Sequence, residues 1–326
     1  MSHASSSEAN RGTPAGSLED TYEYHLLVVV PKDVLDKQIQ MALAQAARVG
    51  HRIATRLDSL MVVEVFVETP MDPERQVGRI AEKVRDCVAD AGICSASRLG
   101  PALPDGVILA ALLRDRDPRY RCGSPVRPAL AGLPGHARVV TCDAVSRAQI
   151  RHRHPRLQVD LATPSWEIFA GLRHRAWDAA CLPPEIFDVG SLAGLSSELI
   201  APEEVVPAVG QGAVAILARR DDDRVRARLA EIDDPEMEVA LRAERAFLEG
   251  VSGMMQGAAT ARAVPGGREV ELTGVLAHRD GEWLVSLEGR AAQGQEVREA
   301  GRLAESCLER AARKTGEAVR KEALVT

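Results

Sequence analysis

No apolar run of about 18 residues occurs anywhere in the 326-residue chain, which excludes a membrane-spanning helix. No C-x-x-C pair occurs either. The six cysteines (Cys87, Cys94, Cys122, Cys142, Cys181, Cys307) are scattered through a chain large enough to fold without staples, so free thiols are the reading. An excess of basic charge is also missing. The net charge is −6 with both signs interspersed, which argues against nucleic acid as a principal partner. No nucleophile triad, metal-ligand cluster or phosphate-cradling loop can be read from residue spacing. The first residues, MSHASSSEANRGTPAGSLED, are polar and hold no apolar stretch, so a floppy tail is expected instead of a signal peptide, and with it a cytoplasmic location.

What is present is the balance of a globular protein, 45% hydrophobic and 27% charged residues. The order of elements suggests α/β architecture. The run HLLVVVP at 25–31 has the continuous branched apolar character of a buried parallel strand, and helical spacing follows at 33–48. Strands are expected at 60–68, at AGIC ending on Cys94, and at 106–113, with a helix from Pro73. After the turn-rich RDRDPRYRCGSP the alternation restarts: strands at 137–142, 157–161 and 177–182, helices at 143–153 and 164–174. Residues 205–219 read as a return strand with glycines marking a tight passage. Helices at 223–229 and 235–249, strands at 268–276 and 282–289, and a helix at 296–315 then suggest a separate α+β unit. The expected division is a tail at 1–21, a first α/β domain from 22–115 with 205–222, a second at 116–204, and an α+β domain at 223–326. The basic cluster Arg151-His152-Arg153-His154-Pro155-Arg156 is expected to be a solvated helix end, where cations suit the helix dipole.

Three motifs in order carry a family resemblance: Val206-Pro207-Ala208-Val209-Gly210-Gln211-Gly212-Ala213, then Arg219-Arg220-Asp221-Asp222, then Ala243-Glu244-Arg245-Ala246. They resemble P-A-V-G-Q-G-A, R-x-D-D and A-E-R-A of the hydroxymethylbilane synthase, or porphobilinogen deaminase, family. Asp117-Pro118-Arg119 and Trp177-Asp178-Ala179 extend the likeness. The resemblance implies two periplasmic-binding-protein-like doubly wound α/β domains with a cleft between them, plus a smaller α+β C-terminal domain that carries a cofactor. Arg52-Ile53-Ala54-Thr55-Arg56 copies the family's opening R-I-A-T-R, but it follows the first strand–helix unit and is read as accidental.

At the positions the resemblance assigns to chemistry, the residues differ. Met255 stands where the family tethers its dipyrromethane to a cysteine, and a thioether sulfur has no thiolate to attack with. No cofactor is therefore expected, and no metal. Arg98 stands where the family has its catalytic aspartate, in Cys94-Ser95-Ala96-Ser97-Arg98, and an arginine does not give up its proton. The family's arginine-rich stretches become Thr141-Cys142-Asp143-Ala144-Val145-Ser146 and 160–169, with Arg147 one residue away from a lost position; the glycine-rich loop before the first long helix is cut to about 68–74.

These departures predict loss of tetrapyrrole assembly, with a cleft that takes a small, weakly anionic ligand bearing a flat apolar part. Candidate catalytic residues are Asp143, Cys94 and Arg98. Candidate ligand contacts are Ser95, Ser97, Thr141, Cys142, Ser146, Arg147, Thr163, Ser165, Trp166 and Gln211, with Arg98 and Asp143 facing each other across the cleft. Thr163 before Pro164, and Asp143 before a helix, would equally serve as helix caps. An enzyme of changed chemistry and a non-catalytic binding protein both stay open, with the parent deaminase behind them, and a protein partner is not named by any residue.

Overall fold

The computed structural model describes residues 24–31, 61–68, 73–100, 102–125, 129–162, 165–187, 195–252 and 257–315. Two sheets repeat one plan. In the first, β1 (Tyr24–Pro31), β2 (Met61–Glu68) and β3 (Ala91–Ser95) are parallel, and the order is β2-β1-β3-β10-β4, with β4 spanning Val107–Arg114 and β10 spanning Ala213–Arg219. Strand β10 runs antiparallel to both neighbours. The second has the order β7-β6-β8-β5-β9: β6 (Arg138–Thr141), β7 (Gln158–Leu161) and β8 (Ala179–Leu182) are parallel, and β5 (Arg121–Ser124) runs antiparallel between β8 and β9 (Ser196–Leu199). Each sheet thus accepts one reversed strand that arrives from the other unit, the wiring of periplasmic-binding-protein-like domains.

Helix α1 (Pro73–Arg85) lies on the first sheet, and α2 (Ala144–Arg153), α3 (Ser165–Arg173) and the short α4 (Pro184–Phe187) belong to the second. After α5 (Asp223–Ala230), the C-terminal unit is a three-stranded meander, β11 (Gly257–Gly266), β12 (Glu269–His278) and β13 (Leu284–Ala292), packed on α6 (Pro235–Val251) and α7 (Glu296–Thr315). Its core centres on Phe247, 1% exposed, whose ring fills the place a side chain at Gly274 would take.

Strand β1 occupies the first-strand position expected of 25–31, whereas the expected helix at 33–48 and the Arg52–Arg56 stretch lie outside the described residues. Strands β5, β9 and β11 have no counterpart in the sequence reading. β5 and β9 are four residues each, and β11 is the alanine-rich GAATARAVPG, weak in strand propensity; it holds because it pairs along its whole length with β12. The basic cluster at the end of α2 is also not simply solvated. His152 Nδ1 lies 3.0 Å from the Gly281 carbonyl, Arg151 is 3.8 Å from Asp280, Arg153 donates to the Glu204 carbonyl, and His154 Nε2 lies 2.7 Å from the Glu204 carboxylate. These side chains pin the β12–β13 turn and the returning chain, over an apolar seam of Ala148, Val206, Ala258, Val275 and Leu284.

The chain crosses between the two α/β units twice, and the two passages lie side by side. The Gly212 carbonyl accepts the Asp115 and Arg116 N–H groups at 2.9 and 3.1 Å, and the buried Gln211 donates Nε2–H to the Pro118 carbonyl at 2.5 Å. Gly210 and Gly212 have φ of +70° and +80°, and a Cβ on Gly212 would come within 2.8 Å of the Arg116 carbonyl oxygen. Gly212→Ala should therefore lower the melting temperature by several degrees, combining about 1–3 kcal/mol of backbone strain with a backbone clash. Gly301→Ala, in a helix with open space around the position, should raise it slightly. Differential scanning calorimetry of the two variants checks this; equal shifts would refute the close-passage account.

Candidate functional site

Cys94, Ser95, Ser97 and Arg98 fall at the carboxyl end of β3, and Thr141, Cys142, Asp143 and Ser146 at that of β6, the edges along which α/β proteins take ligands. At the first, Ala96–Arg98 form a 3-10 turn. Two of the sequence motifs hold this turn from outside. A Cβ on Gly210 would meet the Ala96 carbonyl carbon at 2.8 Å, so the crossing turn rests directly on it, and Arg245 donates to the Gly100 carbonyl just beyond it. The Ser95 and Ser97 hydroxyls bond each other at 2.9 Å. Cys94 is only partly exposed; the packing around its sulfur pushes the thiol up to about 12 against the pull of the Arg98 cation, which is the wrong direction for a nucleophile at neutral pH.

At the second edge the polar residues are occupied with one another. Asp143 caps α2: Oδ1 accepts the Ser146 N–H at 2.7 Å, and Oδ2 accepts the Ser146 hydroxyl at 2.8 Å and the Tyr120 hydroxyl at 3.0 Å. Ser146 also lies 2.5 Å from the Thr141 hydroxyl, and both residues are completely buried. The side-chain hydrogen bonds of Asp143 thus go to Tyr120 and Ser146, where a pairing with Arg98 across the cleft was expected. Tyr120 is wholly buried, and burial followed by the Asp143 charge holds its phenol well above the ordinary range, so it stays a neutral donor. Cys142 is partly exposed, its sulfur 3.9 Å from Asp143. Arg147 bonds the Val159 carbonyl and Asp280, each at 3.3 Å, and so holds the β12–β13 turn instead of standing free for a ligand. Gln211 locks the crossing. Ser165 and Trp166 open α3, while Thr163 and Met255 lie outside the described residues.

Sequence reasoning missed three residues that the structure places in or beside these edges: Tyr120, Arg121 and Glu244. Glu244 had a signal, as the acid of Ala243-Glu244-Arg245-Ala246. Its buried carboxylate accepts the Gly210 N–H and the Ala263 N–H, both at 2.9 Å, joining the crossing turn to β11 through α6. Tyr120 and Arg121 sit in the turn-rich crossing and carried no pattern.

With this geometry in view, the comparisons identify the family. The family model described as porphobilinogen deaminase, dipyromethane cofactor binding domain, matches residues 34–227. The porphobilinogen deaminase of Roseiflexus sp. (strain RS-1) is 35% identical over 69% of this chain and 76% of its own, and that of Rubrobacter xylanophilus is 36% identical over 68% and 72%. The chain belongs to the porphobilinogen deaminase family. Among solved structures, a TRAP periplasmic solute-binding protein from Pseudomonas putida F1 aligns at 9% identity over 67% of this chain and 79% of its own, with a TM-score of 0.39, too low to argue from.

The match to a cofactor-binding domain overturns the expectation of no cofactor and points to a dipyrromethane, which when bound supplies the pyrrole end to which further pyrroles are added. Among the described residues, Arg98 fits the carboxylates of such a group. Three of the thiols fit a thioether tether less well: Cys94 is pushed up to about 12, and Cys122 and Cys181 are completely buried.

Burial pushes the Glu244 carboxyl up to about 7 from 4.5, while the Ala263 and Gly210 N–H groups and the Arg262 cation draw it back. The folded chain thus holds this proton more tightly than the unfolded chain does. The resulting stability is complete below about pH 4.5 and is lost as pH rises through about 7. Between about pH 5 and about pH 8 the protein should lose about 2–3 kcal/mol that Glu244→Gln does not lose, measured by urea unfolding at each pH. Parallel pH profiles in the two proteins would show that Glu244 does not titrate in this range.

Proposed function

We propose that this protein binds pyrrole carboxylic acids of the porphobilinogen class in a cleft between its two α/β domains, and that binding, not pyrrole condensation, is what its strand-end residues serve. The observation that carries the reading is the replacement at the end of β3. Arg98 occupies the position the resemblance assigns to the catalytic aspartate, on a turn still held by Gly210 and Arg245. A guanidinium attracts a carboxylate but cannot shuttle a proton at neutral pH. The other candidate acid, Asp143, is committed to its helix and to Tyr120. Porphobilinogen carries two carboxylates, the upper end of the charge expected from sequence, on which it binds weakly and is not consumed.

A second reading, a working deaminase, is favoured by the family match itself, which covers the cofactor-binding domain. Calorimetric titration with porphobilinogen, alongside assays for released ammonia and pyrrole products, separates the two. Saturable heat without turnover is the expected result, and Arg98→Ala should weaken binding by about 1.5–3 kcal/mol, the loss of a charge-assisted contact. Sustained ammonia release by the wild type would establish the deaminase, and unchanged affinity in the variant would remove Arg98 from the site.

A further inference from the structure

Strand β5 enters the second sheet beside β8 with Arg121 opposite Leu182 and Cys122 opposite Cys181. Leu182 is the last residue of β8, and Thr141, the last of β6, pairs with Cys181. Arg121 therefore stands at the carboxyl edge of this sheet, level with the Cys142-Asp143 turn. Strand alternation assigns its neighbours: Tyr120 and Cys122 enter the core with Val139, Ile150 and Cys181, so Arg121 and Gly123 share the opposite face.

On that face Phe187 covers both residues. A Cβ on Gly123 would lie 2.3 Å from the Phe187 ring, so the ring occupies the room the glycine leaves, and the Arg121 guanidinium lies 5.8 Å from its centroid. Arg121 is partly buried, and its Nε is buried with no hydrogen-bond partner among the described residues. No carboxylate of the described residues pairs with it, whereas Arg116, Arg119, Arg138, Arg219 and Arg242 each have one within 3 Å. Holding an uncompensated cation against an apolar wall is unfavourable, and an arriving anion reverses that balance. Arginine is suited to the task because its planar fork takes a carboxylate by two N–H groups while its face rests on an aromatic ring.

We propose that Arg121 is a carboxylate-binding residue of the ligand site, gripping one carboxylate of a pyrrole carboxylic acid with Phe187 as the ring that seats it. The inference rests on the binding function proposed above. It also supplies a cation on the second sheet, where the resemblance places Val145 and Ser146 at the family's paired arginines.

The test uses the full chain with porphobilinogen as titrant, comparing wild type with Arg121→Gln and Arg121→Lys, and in parallel follows the melting temperature with added succinate. Arg121→Gln should weaken porphobilinogen binding about tenfold or more, and Arg121→Lys, which keeps the charge and the stem but not the fork, by about three- to tenfold. The lysine variant also serves if the glutamine variant does not fold. Wild-type binding that both variants retain unchanged overturns the role of Arg121 and leaves the binding function standing. If the wild type does not bind porphobilinogen, that function falls, and the succinate arm decides Arg121 alone: stabilisation present in the wild type and lost in Arg121→Gln upholds an anion site, and its absence overturns one.

Discussion

The crossing between the two α/β units rests on one buried carboxylate. Glu244 reaches from α6 to take one N–H from the Gly210 turn and one from β11, so a single side chain fastens the crossing to the C-terminal sheet. Its two N–H donors favour the charged form and its burial favours the neutral one, and burial outweighs them. The residues around it follow from this contact. Gly210 must lack a side chain because the Ala96 backbone lies against it, and Gly212 because the outgoing passage does. Thr260 donates its hydroxyl to the Pro207 carbonyl at 2.6 Å, extending the same fastening along β11.

Placement of polar groups at a ligand edge does not make them ligand contacts. Thr141, Asp143, Ser146 and Tyr120 form a closed set in which each hydroxyl and carboxylate oxygen finds its partner inside the set, as buried polar groups must. Such a set fixes the start of α2 and therefore the register of the basic residues further along it, which hold the β12–β13 turn. Opening it to reach a ligand would leave buried donors unmatched, a cost of about 1–3 kcal/mol for each group. Beside this set, at the same edge, Arg121 presents a cation over the Phe187 ring.

The architecture was largely legible in the sequence because long apolar runs and 3.6-residue spacing report burial, and burial decides element type. Strands β2, β3, β4, β6, β7 and β8 and helices α1 to α3 lie within a few residues of where the pattern puts them, while β10 takes only 213–219 of the expected 205–219. The strands that escaped have no such pattern: β5 is Arg-Cys-Gly-Ser, and β11 is mostly alanine and glycine, stabilised by its neighbour and not by its own preference. The site was less legible for a different reason. Residue type and strand-end position pointed to Asp143, Ser146 and Arg147, but which atoms a side chain meets depends on chain segments far away, such as Tyr120 at 23 residues and Asp280 at 133. The dipyrromethane expectation failed because it was drawn from a single substituted position, Met255, whereas the family match spans 34–227.

The family motifs acquire a physical meaning once their contacts are known. Arg219 of the R-x-D-D segment donates to the Val84 and Ala89 carbonyls and pairs with Asp222 at 2.6 Å, fixing the end of α1 against β10. Glu244 and Arg245 brace the crossing turn and the segment after Arg98. None of these contacts depends on which residue stands at position 98, since they engage the backbone of Gly210, Gly100, Val84 and Ala89 and not the side chains at the strand ends. These contacts hold the end of β3 in place through the backbone, so the frame is set independently of the side chain that the edge presents at position 98.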